Sequence, residues 1–418
     1  MADMISLEEA RELVLSKVEP LGSELVPLLD VVGRVAADDL RSDIDIAPFA
    51  HSAMDGFALR AAELAEATED APVQLRVIAE IGAGDVFDGA IGAGECVRIM
   101  TGAPLPADAD SVVKYEIVGV VEGDGKPGSV VSFAAPTAEA SNVRPAGEEA
   151  RAGEVVVERG EVIGAAGVGF LASCGVLEVP AYARPRVAII ATGSELVPPE
   201  TVPGPGQIRN SNSYAMAACA QEAGAVPVVL PIVQDTFEAL RDAVDAASRE
   251  YDFVVTTGGA ANGDFDFIKP VVDELGDLFM TTVNMRPGKA QTFGLVNGTP
   301  VFGLPGNPAA AYCGFELIIR AALRKMQGFT HLEMPTVQAR LTQPLRKKDP
   351  RRIFTRSTLT RAADGAFEVT PAKNQSSGLF GPIQKSNCLL VVPEGPGSLE
   401  AGDTVECILL DVSEEVPL

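Results

Sequence analysis

Three glycine-containing loops in this sequence have the composition of an anion-binding site. They read Thr192-Gly193-Ser194-Glu195, Thr257-Gly258-Gly259 and Leu304-Pro305-Gly306-Asn307, and each follows a short apolar run. Glycine lets backbone N–H groups approach an anion, and a helix starting near Asn307 favours negative charge at its N-terminus. Any one loop could equally be an ordinary tight turn. The three together favour a site for a phosphate or an oxyanion.

Acidic side chains beside these loops indicate a divalent cation. They are Glu195, Asp235, Asp264 and Asp266. Carboxylates next to a phosphate are unfavourable unless a cation lies between them, and Mg²⁺ is commonly held by one or two carboxylates together with substrate phosphates. The alternative is an acidic surface exposed to solvent, which any single aspartate in so acidic a chain would fit.

Two groups of basic residues could face the anion. Arg286 and Lys289 flank a Pro287-Gly288 turn. A basic island near the C-terminus contains Arg340, Arg346, Lys347, Lys348, Arg351, Arg352, Arg356 and Arg361, offset only by Asp349 and Asp364. Such side chains are the usual donors to phosphates and oxyanions. Plain surface charge is the alternative for the first group, and a charged strand edge that prevents aggregation is the alternative for the second.

Composition excludes several classes of function. The 418 residues include 33 Lys plus Arg against 58 Asp plus Glu, a net charge of -25. Such a surface repels phosphate backbones and anionic lipid, so we expect neither nucleic acid nor a membrane as partner. With only His51 and His331, a three-His zinc site is excluded, and a Ser-His-Asp triad would have to use one of the two. The chain lacks both GxxxxGK[ST] and GxGxxG, so neither a Walker nor a Rossmann nucleotide site is indicated.

The cysteines and the N-terminus indicate the compartment. Six cysteines lie far apart without a CxxC pair, which is typical of neither a zinc ribbon nor a disulfide framework and fits reducing conditions. The first ten residues have no basic start followed by an apolar core, and no apolar run approaches the roughly 20 residues that span a bilayer. We therefore expect a cytoplasmic protein.

The pattern of elements predicts a multidomain protein of α/β plus β class. From 185 to 328, strands alternate with helices, which predicts a parallel sheet covered on both faces. Predicted strands cover 187–191, 226–233, 253–256 and 301–304; predicted helices cover 211–222, 235–249 and 308–327. The last helix has Asn307 as N-cap and Pro308 at its first position, and it stops at Gly328. A further helix over 6–18 begins with Ser6 and Glu9 in capping-box spacing.

The remaining segments predict β-rich domains. Residues 47–140 contain short strands separated by turn residues, which is typical of a small β domain inserted between 1–46 and 141–184. The stretch 142–184 is glycine-rich and strand-like. After Gly328, residues 329–418 return to short strands with Gly and Pro turns, so we expect a separate small C-terminal β domain.

Taken together, the motifs resemble one family over essentially the whole chain. They are Ser52-Ala53-Met54-Asp55-Gly56, Met100-Thr101-Gly102-Ala103-Pro104, Ala191-Thr192-Gly193-Ser194-Glu195-Leu196, Gly258-Gly259 through Gly263-Asp264-Phe265-Asp266, Pro287-Gly288-Lys289 and Leu304-Pro305-Gly306-Asn307-Pro308. Their order resembles that in the molybdopterin molybdenumtransferase family, which includes MoeA and the gephyrin E domain. Each motif is weak alone, but the set is highly specific.

This resemblance implies a fold and a reaction. It implies an elongated four-domain subunit that forms a homodimer through its N-terminal domain, with a molybdopterin-binding α/β domain third and a small β-barrel fourth. The implied reaction inserts molybdate into adenylylated molybdopterin and releases AMP and the molybdenum cofactor, with Mg²⁺ assisting. A molybdopterin adenylyltransferase and acceptor molybdoenzymes are the implied partners. The site in such enzymes lies between the α/β domain of one subunit and the β domains of the other.

The resemblance also implies roles for individual residues. The implied catalytic residues are Asp55, Thr101, Glu195, Asp235 and Asp264, of which Glu195, Asp235 and Asp264 are expected to hold Mg²⁺. The implied substrate-binding residues are Arg144, Thr192, Gly193, Ser194, Gly258, Gly259, Arg286, Lys289, Pro305, Gly306, Asn307, Arg356 and Ser377. The phosphate or molybdate end is assigned to Arg286 and Lys289, with Arg356 and Ser377 as weaker matches.

The chain departs from the family pattern at several positions. Ala50-His51 stands where Asp-Asn is more common, Glu149 replaces an Asp, and Arg286 replaces a Lys, while Ala261 and Asn262 alter the double-glycine loop. Arg in place of Lys keeps the charge but changes the donor geometry. Three alternatives to the molybdate-inserting enzyme therefore stay open: a non-catalytic scaffold or carrier that binds molybdopterin, a tungstate-inserting paralogue, and a nucleotide pyrophosphatase on the same α/β domain.

Overall fold

A computed structural model describes residues 4–258 and 267–415 of the chain. These residues fold into two compact units, one made of residues 4–24, 180–258 and 267–415 and the other of Leu25–Val179. This two-way division is coarser than the four domains expected from the sequence, so the boundaries at 46/47, 140/141, 184/185 and 328/329 stay predictions. In the part of the chain that the structure describes, no helix has the length and apolar character needed to cross a membrane.

The Leu25–Val179 unit is built around a six-stranded mixed sheet. Its strand order is Ser111–Lys114, Gly56–Leu59, Glu95–Ile99, Val73–Ile81, Val130–Phe133 and Gly119–Glu122. Only Val73–Ile81 and Glu95–Ile99 run parallel; the other neighbours are antiparallel. Alternate side chains such as Leu75 and Val77 pack with Phe57 and Phe133 in a core on one face of the sheet. The expected β-rich character of this region is thus confirmed, while a separate domain over 47–140 stays a prediction.

Shorter elements complete this unit. They are the strand pairs His51–Ser52 with Val143–Arg144 and Leu40–Arg41 with Val155–Val157, the 3-10 turns Leu28–Asp30, Ala61–Leu64 and Tyr115–Ile117, and the helix Ala165–Ser173. The helix corrects the strand-like expectation for 142–184. Its alanines and glycines show no helical stripe in the sequence, and contacts elsewhere in the unit decide its conformation.

The other unit contains the expected α/β domain. The sheet order is Val226–Val229, Arg186–Ala191, Phe253–Thr257, Thr299–Leu304, Ala290–Val296 and Gly276–Thr282, with the first four strands parallel and the last two antiparallel. Both faces are buried: Val187 and Ile189 belong to one core cluster, and Ala188 and Ile190 belong to the other. The prediction of a sheet covered on both faces is confirmed. Beyond its Thr192 end lies a small parallel pair, Leu196–Val197 with Ile208–Arg209.

The predicted helices of this unit begin at or close to their expected starts. They are Leu7–Leu15, Asn212–Glu222, Phe237–Glu250 and the run Pro308–Gly314, Phe315–Ile319 and Arg320–Met326. The helix Ile268–Leu275 and the short Gly381–Gln384 are not among the predicted helices. Ser6 and Glu9 form the expected capping box, and the Thr236 hydroxyl accepts from Ala239 N. Asn307 holds the N-cap position with extended backbone but makes no side-chain capping bond. Phe315–Ile319 is π-helical, which the periodicity did not predict.

The C-terminal segment forms a closed five-stranded barrel. Around the ring the strands are Arg352–Arg361, Phe367–Pro371, Thr336–Leu341, Thr404–Leu409 and Cys388–Val392, and the last pairs back with Arg352–Arg361. Closure leaves no free sheet edge around the ring. Met285–Arg286, which leads out of the α/β sheet, pairs in parallel with Arg352 and Ile353 of the barrel. The expected C-terminal β-barrel is confirmed.

Candidate functional site

One cavity gathers the basic residues expected to bind an anion. It has a volume of about 890 Å³ and lies between the α/β sheet and the barrel within one compact unit. Seven predicted substrate-binding residues line it: Arg286, Lys289, Pro305, Gly306, Asn307, Arg356 and Ser377. Four members of the basic island also line it: Arg346, Lys347, Lys348 and Arg351. The interpretation of the island as an anion-facing rim is favoured for these members, whereas Arg340 points to Glu368.

The cavity is strongly cationic in a chain of net charge -25. Seven Lys and Arg side chains line it, and the described lining residues include no carboxylate. Lys289 and Lys348 form no ion pair with any described residue. Because cations gathered in a concave, partly desolvated site reinforce one another's potential, the cavity attracts anions that the rest of the surface repels.

Arg356 provides a buried guanidinium without a counter-ion in the described part of the chain. The residue is 2 % exposed. Its Nη2 donates to Ser376 O at 3.3 Å, while its Nε lacks a hydrogen-bond partner. Gln375 fixes the backbone: its Oε1 accepts from Arg356 N at 3.1 Å, and its Nε2 donates to Arg356 O at 2.8 Å. Burial lowers the pKa of Arg356. A buried unpaired cation is unfavourable unless an anion accompanies it, so this residue is suited to bind one.

Arg286 is held at the edge of the cavity by an aspartate. Its Nη1 donates to Asp349 Oδ2 at 3.1 Å, and the same carboxylate accepts from Arg351 Nε at 2.9 Å. The hydrogen bonds from Arg351, with the nearby charge of Arg286, hold the pKa of Asp349 far below its ordinary value. Gln291, which is fully buried, donates to Gly288 O at 2.7 Å and fixes the turn between Arg286 and Lys289.

The Pro305-Gly306-Asn307 loop is fixed from two sides. Asn212 Nδ2 donates to Gly306 O at 2.8 Å, and Ala309 N donates to Ser377 O at 2.8 Å. The second bond joins the start of the Pro308 helix to the segment that follows the barrel strand Phe367–Pro371. These bonds present the loop to the cavity.

The described residues of the other two glycine loops lie beside this one and are not part of the cavity lining. Gly258 has φ +91°, and a Cβ there would lie 2.2 Å from Thr192 O, so only glycine fits. A Cβ on Gly306 would lie 3.6 Å from Gly258 Cα, which places the loops side by side. The expected convergence at the carboxyl ends of the parallel strands is therefore observed for the described residues. Gly259 lies outside them.

Two of the predicted acidic residues, Asp235 and Glu195, lie against the Thr192–Gly193 turn. Thr192 Oγ1 donates to Asp235 Oδ1 at 3.2 Å. Glu195 and its neighbour Ser194 are exposed, and the Glu195 carboxylate lies over Gly193, where a Cβ would be 2.6 Å from Oε2. Within 4–258 and 267–415, no three His, Cys, Asp or Glu side chains form a metal-binding group. Asp264, Asp266, Ala261 and Asn262 lie outside those ranges.

Asp55, Thr101 and Arg144 belong to the other compact unit. Asp55 Oδ1 accepts from Thr101 N at 2.8 Å and from Thr101 Oγ1 at 2.7 Å. These two hydrogen bonds lower the pKa of Asp55, so the carboxylate stays ionised. Arg144 pairs with His51 across two short strands and bonds Glu148 at 3.1 Å. Ala53 N donates to Asn142 O at 2.9 Å, which joins the Asp55 loop to the Arg144 segment.

Some residues that shape the cavity were not assigned from the sequence. Asn212, Gln291 and Gln375 each fix a lining loop through side-chain bonds to backbone atoms. Such amides have no spacing signature, because their partners are distant in the chain. From the sequence alone, Asp349 is only a negative charge that offsets part of the basic island. An acidic residue within a run of five cations was the one signal that could have drawn attention to it.

The fold and the cavity define a multidomain α/β protein with a barrel-flanked site suited to anions. Three family models match successive parts of the chain: MoeA N-terminal region (domain I and II) over 5–175, probable molybdopterin binding domain over 188–325, and MoeA C-terminal region (domain IV) over 338–410. The molybdopterin molybdenumtransferase of Bacillus subtilis is 36% identical over 392 residues, covering 93% of this chain and 90% of the relative.

Other relatives agree over nearly the full length. The molybdopterin molybdenumtransferase of Staphylococcus aureus is 34% identical and covers 98% of this chain and 97% of the relative. A crystal structure of the Pyrococcus horikoshii molybdopterin biosynthesis MoeA protein superposes with a TM-score of 0.81 at 31% identity, covering 97% of this chain and 99% of the other. The chain therefore belongs to the molybdopterin molybdenumtransferase family.

Proposed function

We propose that this protein inserts molybdate into adenylylated molybdopterin and releases AMP and the molybdenum cofactor. The observation that carries the proposal is the cavity lined by seven cations, where the guanidinium of Arg356 is buried without a counter-ion among the described residues. Molybdate is a dianionic oxyanion and the other substrate carries a pyrophosphate, so both need such donors. The names of the relatives support the same reaction.

In this proposal the cavity positions the two substrates. Arg356, with Ser377 beside it, binds the oxyanion, because a buried guanidinium can give directed N–H donors without competition from water. Arg286 and Lys289 hold the phosphate or molybdate end, and the backbone of Pro305, Gly306 and Asn307 contributes at the start of a helix. No side chain is required as a covalent nucleophile; the residues act by orientation and charge.

The acidic loop is assigned to a cation in the proposal. Asp235 and Glu195 both lie against the Thr192–Gly193 turn, and two carboxylates with substrate phosphates fit a Mg²⁺ site. When bound, Mg²⁺ would offset negative charge on the phosphoanhydride. Thr192 fixes Asp235, Ser194 and Gly193 provide polar donors at the turn, and Gly258 with Gly259 allows close approach. Asp264 is proposed as a third carboxylate.

Asp55, Thr101 and Arg144 are proposed to act on the same reaction from the β-rich unit of a second subunit. The Asp55 carboxylate is ionised and oriented by Thr101. The homodimer is supported by exposed apolar side chains in this unit, Leu25, Leu29, Val32 and Leu177. We further propose a cytoplasmic location, with a molybdopterin adenylyltransferase and acceptor molybdoenzymes as partners.

The test is a reconstitution with purified components. The protein is mixed with adenylylated molybdopterin, Mg²⁺ and molybdate, and AMP release and activation of an apo-molybdoenzyme are followed. We expect both signals only when molybdate is present. Tungstate is run in parallel, because the two oxyanions are nearly isosteric and share the same charge.

Each contrary outcome favours a different alternative. AMP release without metal insertion would indicate a hydrolase on this fold, and activity with tungstate alone would indicate the tungstate paralogue. Tight binding of adenylylated molybdopterin without turnover would favour a scaffold or carrier. Asp55→Ala and Asp264→Ala are expected to abolish insertion while leaving the fold intact; normal cofactor formation by either would remove that residue from the mechanism.

A further inference from the structure

Asp349 is a carboxylate placed where it should oppose anion binding. It lies in the basic loop 345–352, whose cations Arg346, Lys347, Lys348 and Arg351 line the cavity. Its side chain is 12% exposed and ionised, because its pKa is held far below the ordinary range by hydrogen bonds from Arg351. By charge alone, a carboxylate at this position weakens the attraction of the cavity for a dianion.

The contacts of Asp349 give it a different role. Oδ1 accepts from Arg351 N at 3.1 Å and from Arg351 Nε at 2.9 Å, and Oδ2 accepts from both Arg351 Nη2 and Arg286 Nη1. One carboxylate thus fixes two cavity-lining guanidinium groups. Arg351 comes from the loop directly before the barrel strand Arg352–Arg361, and Arg286 comes from the segment that leads out of the α/β sheet.

Arg286 needs such a partner more than Arg351 does. Its side chain is 54% exposed, and its only hydrogen bond among the described residues is the one to Asp349. A free arginine of this kind occupies many rotamers, and ordering it on binding an anion carries an entropic penalty. Because the guanidinium is a planar fork, Arg286 can give Nη1 to Asp349 and keep Nε and Nη2 for a ligand; a lysine has no such fork.

We propose that Asp349 is a positioning residue that orders Arg286 and Arg351 for the anionic end of the substrate. This inference rests on the proposed function of the cavity and names a residue that acts through its two arginines, without contact to the reacting atoms. By ordering the two arginines before the anion binds, Asp349 strengthens the affinity for the anion by more than its own negative charge weakens it. The two effects have opposite signs, which makes the proposal testable.

The test measures binding of molybdate alone by equilibrium dialysis to the full-length protein and to Asp349→Asn. Positioning predicts that the Kd rises about fivefold or more, although a negative charge has been removed. A purely electrostatic role predicts a lower Kd, and either a lower or an unchanged Kd would overturn the proposal. Asp364→Asn is the matched control, because it removes the same charge from the barrel beside Arg340, away from the cavity.

A double-mutant cycle tests whether Asp349 acts through Arg286. In an Arg286→Ala background, Asp349→Asn is expected to raise the Kd by a clearly smaller factor than in the wild-type background, because only Arg351 is left for Asp349 to order. An equal effect in both backgrounds would contradict the role through Arg286. In the insertion assay, Asp349→Asn is expected to raise the KM for molybdate and leave kcat within about twofold of wild type.

Two further measurements keep the outcomes distinct. Thermal unfolding checks that Asp349→Asn is folded. If it does not fold, Asp349→Glu replaces it, because this variant keeps the charge but displaces the carboxylate. Asp349→Glu is also expected to raise the Kd for molybdate. Absence of molybdate binding and of turnover in the wild-type protein would count against the proposed function. Normal wild-type binding with a lower or unchanged Kd in the variant would overturn only the role of Asp349.

Discussion

At the scale of single residues, the site contains a group whose environment works against folding. Arg356 is buried, and its Nε has no hydrogen-bond partner among the described residues. Natural proteins keep such arrangements mainly where binding requires them, because the same positions filled by apolar side chains would be at least as stable. The cavity is therefore expected to trade stability for affinity.

The variant Arg356→Met tests whether Arg356 lowers the stability of the fold while raising the affinity for the anion. Methionine is similar in length and lacks the buried charge, so we expect an unchanged or higher melting temperature together with a loss of molybdate affinity of about tenfold or more. Calorimetry and equilibrium dialysis give the two values. Arg340→Met, on an outer position of the same barrel, should leave affinity unchanged. A clearly lower melting temperature with retained binding would contradict the assignment.

A second residue-scale prediction concerns Asp55. Its pKa is lowered by the backbone and side chain of Thr101, so its contribution to stability is present at neutral pH and is lost as the pH falls through the lowered pKa. Thr101→Val removes the hydroxyl donor only and should move the pKa of Asp55 upward, partway to its ordinary value. A carboxyl ¹³C NMR titration measures this, with Thr68→Val as control. No upward movement would show that the hydroxyl does not act on the carboxylate.

At the scale of elements, the π-helical segment Phe315–Ile319 places a carboxyl group inside the core. Glu316 is 4 % exposed, and one of its oxygens lacks a hydrogen-bond partner among the described residues. Burial raises the pKa of Glu316 to about 7, against the opposing effect of Arg320. The ionisable groups that act on it are Arg320, Cys219, Glu222 and Glu414.

Glu316→Gln is expected to stabilise the protein at high pH. The folded pKa of about 7 exceeds the ordinary 4.5, so the wild-type protein loses stability as the pH rises between those values. Above pH 7 the difference should be on the order of 3 kcal/mol, and it should vanish near pH 4. Arg320 retains its pairing with Glu414. Denaturant unfolding from pH 5 to 8 measures the difference; one that is independent of pH would contradict the raised pKa.

Elements were more predictable from the sequence than the side-chain contacts within the site. The alternating strands and helices, the Ser6–Glu9 capping box and the start of the helix at Pro308 follow local rules, and the structure confirms them. The π-helical turn and the helix Ala165–Ser173 could not be predicted from local rules, because contacts between residues distant in sequence decide their conformation. Likewise, the glycine loops indicated an anion site, but the hydrogen bond from Arg286 to Asp349 spans 63 residues and has no local pattern.

At the scale of the whole molecule, charge and apolar surface are both unevenly distributed. An acidic chain concentrates seven cations in one cavity, and the β-rich unit exposes several large apolar side chains. Leu28 N donates to Leu177 O at 2.9 Å, so Leu29 and Leu177 lie in neighbouring segments of one surface. An apolar patch of this kind is typical of a subunit interface.

Leu29→Asp is expected to convert the proposed dimer to a monomer. A charge on the exposed leucine would have to be buried without a partner in the interface, which is strongly unfavourable. Light scattering coupled to size-exclusion chromatography measures the mass. Val226→Asp, at an exposed valine of the other unit, is the control. If the measured mass of the wild-type protein is that of a monomer, the proposed dimer is wrong.

The pairing of Met285–Arg286 with Arg352 and Ile353 has a consequence for how this family can be rearranged. The barrel is a closed ring of strands, which is typical of a separable module. Its strand Arg352–Arg361, however, also pairs with the segment that carries Arg286. A chimaera that receives a relative's barrel should therefore function only when residues 285–289 are exchanged with it. Recombination between homologues is expected to preserve these two distant segments as one inherited block.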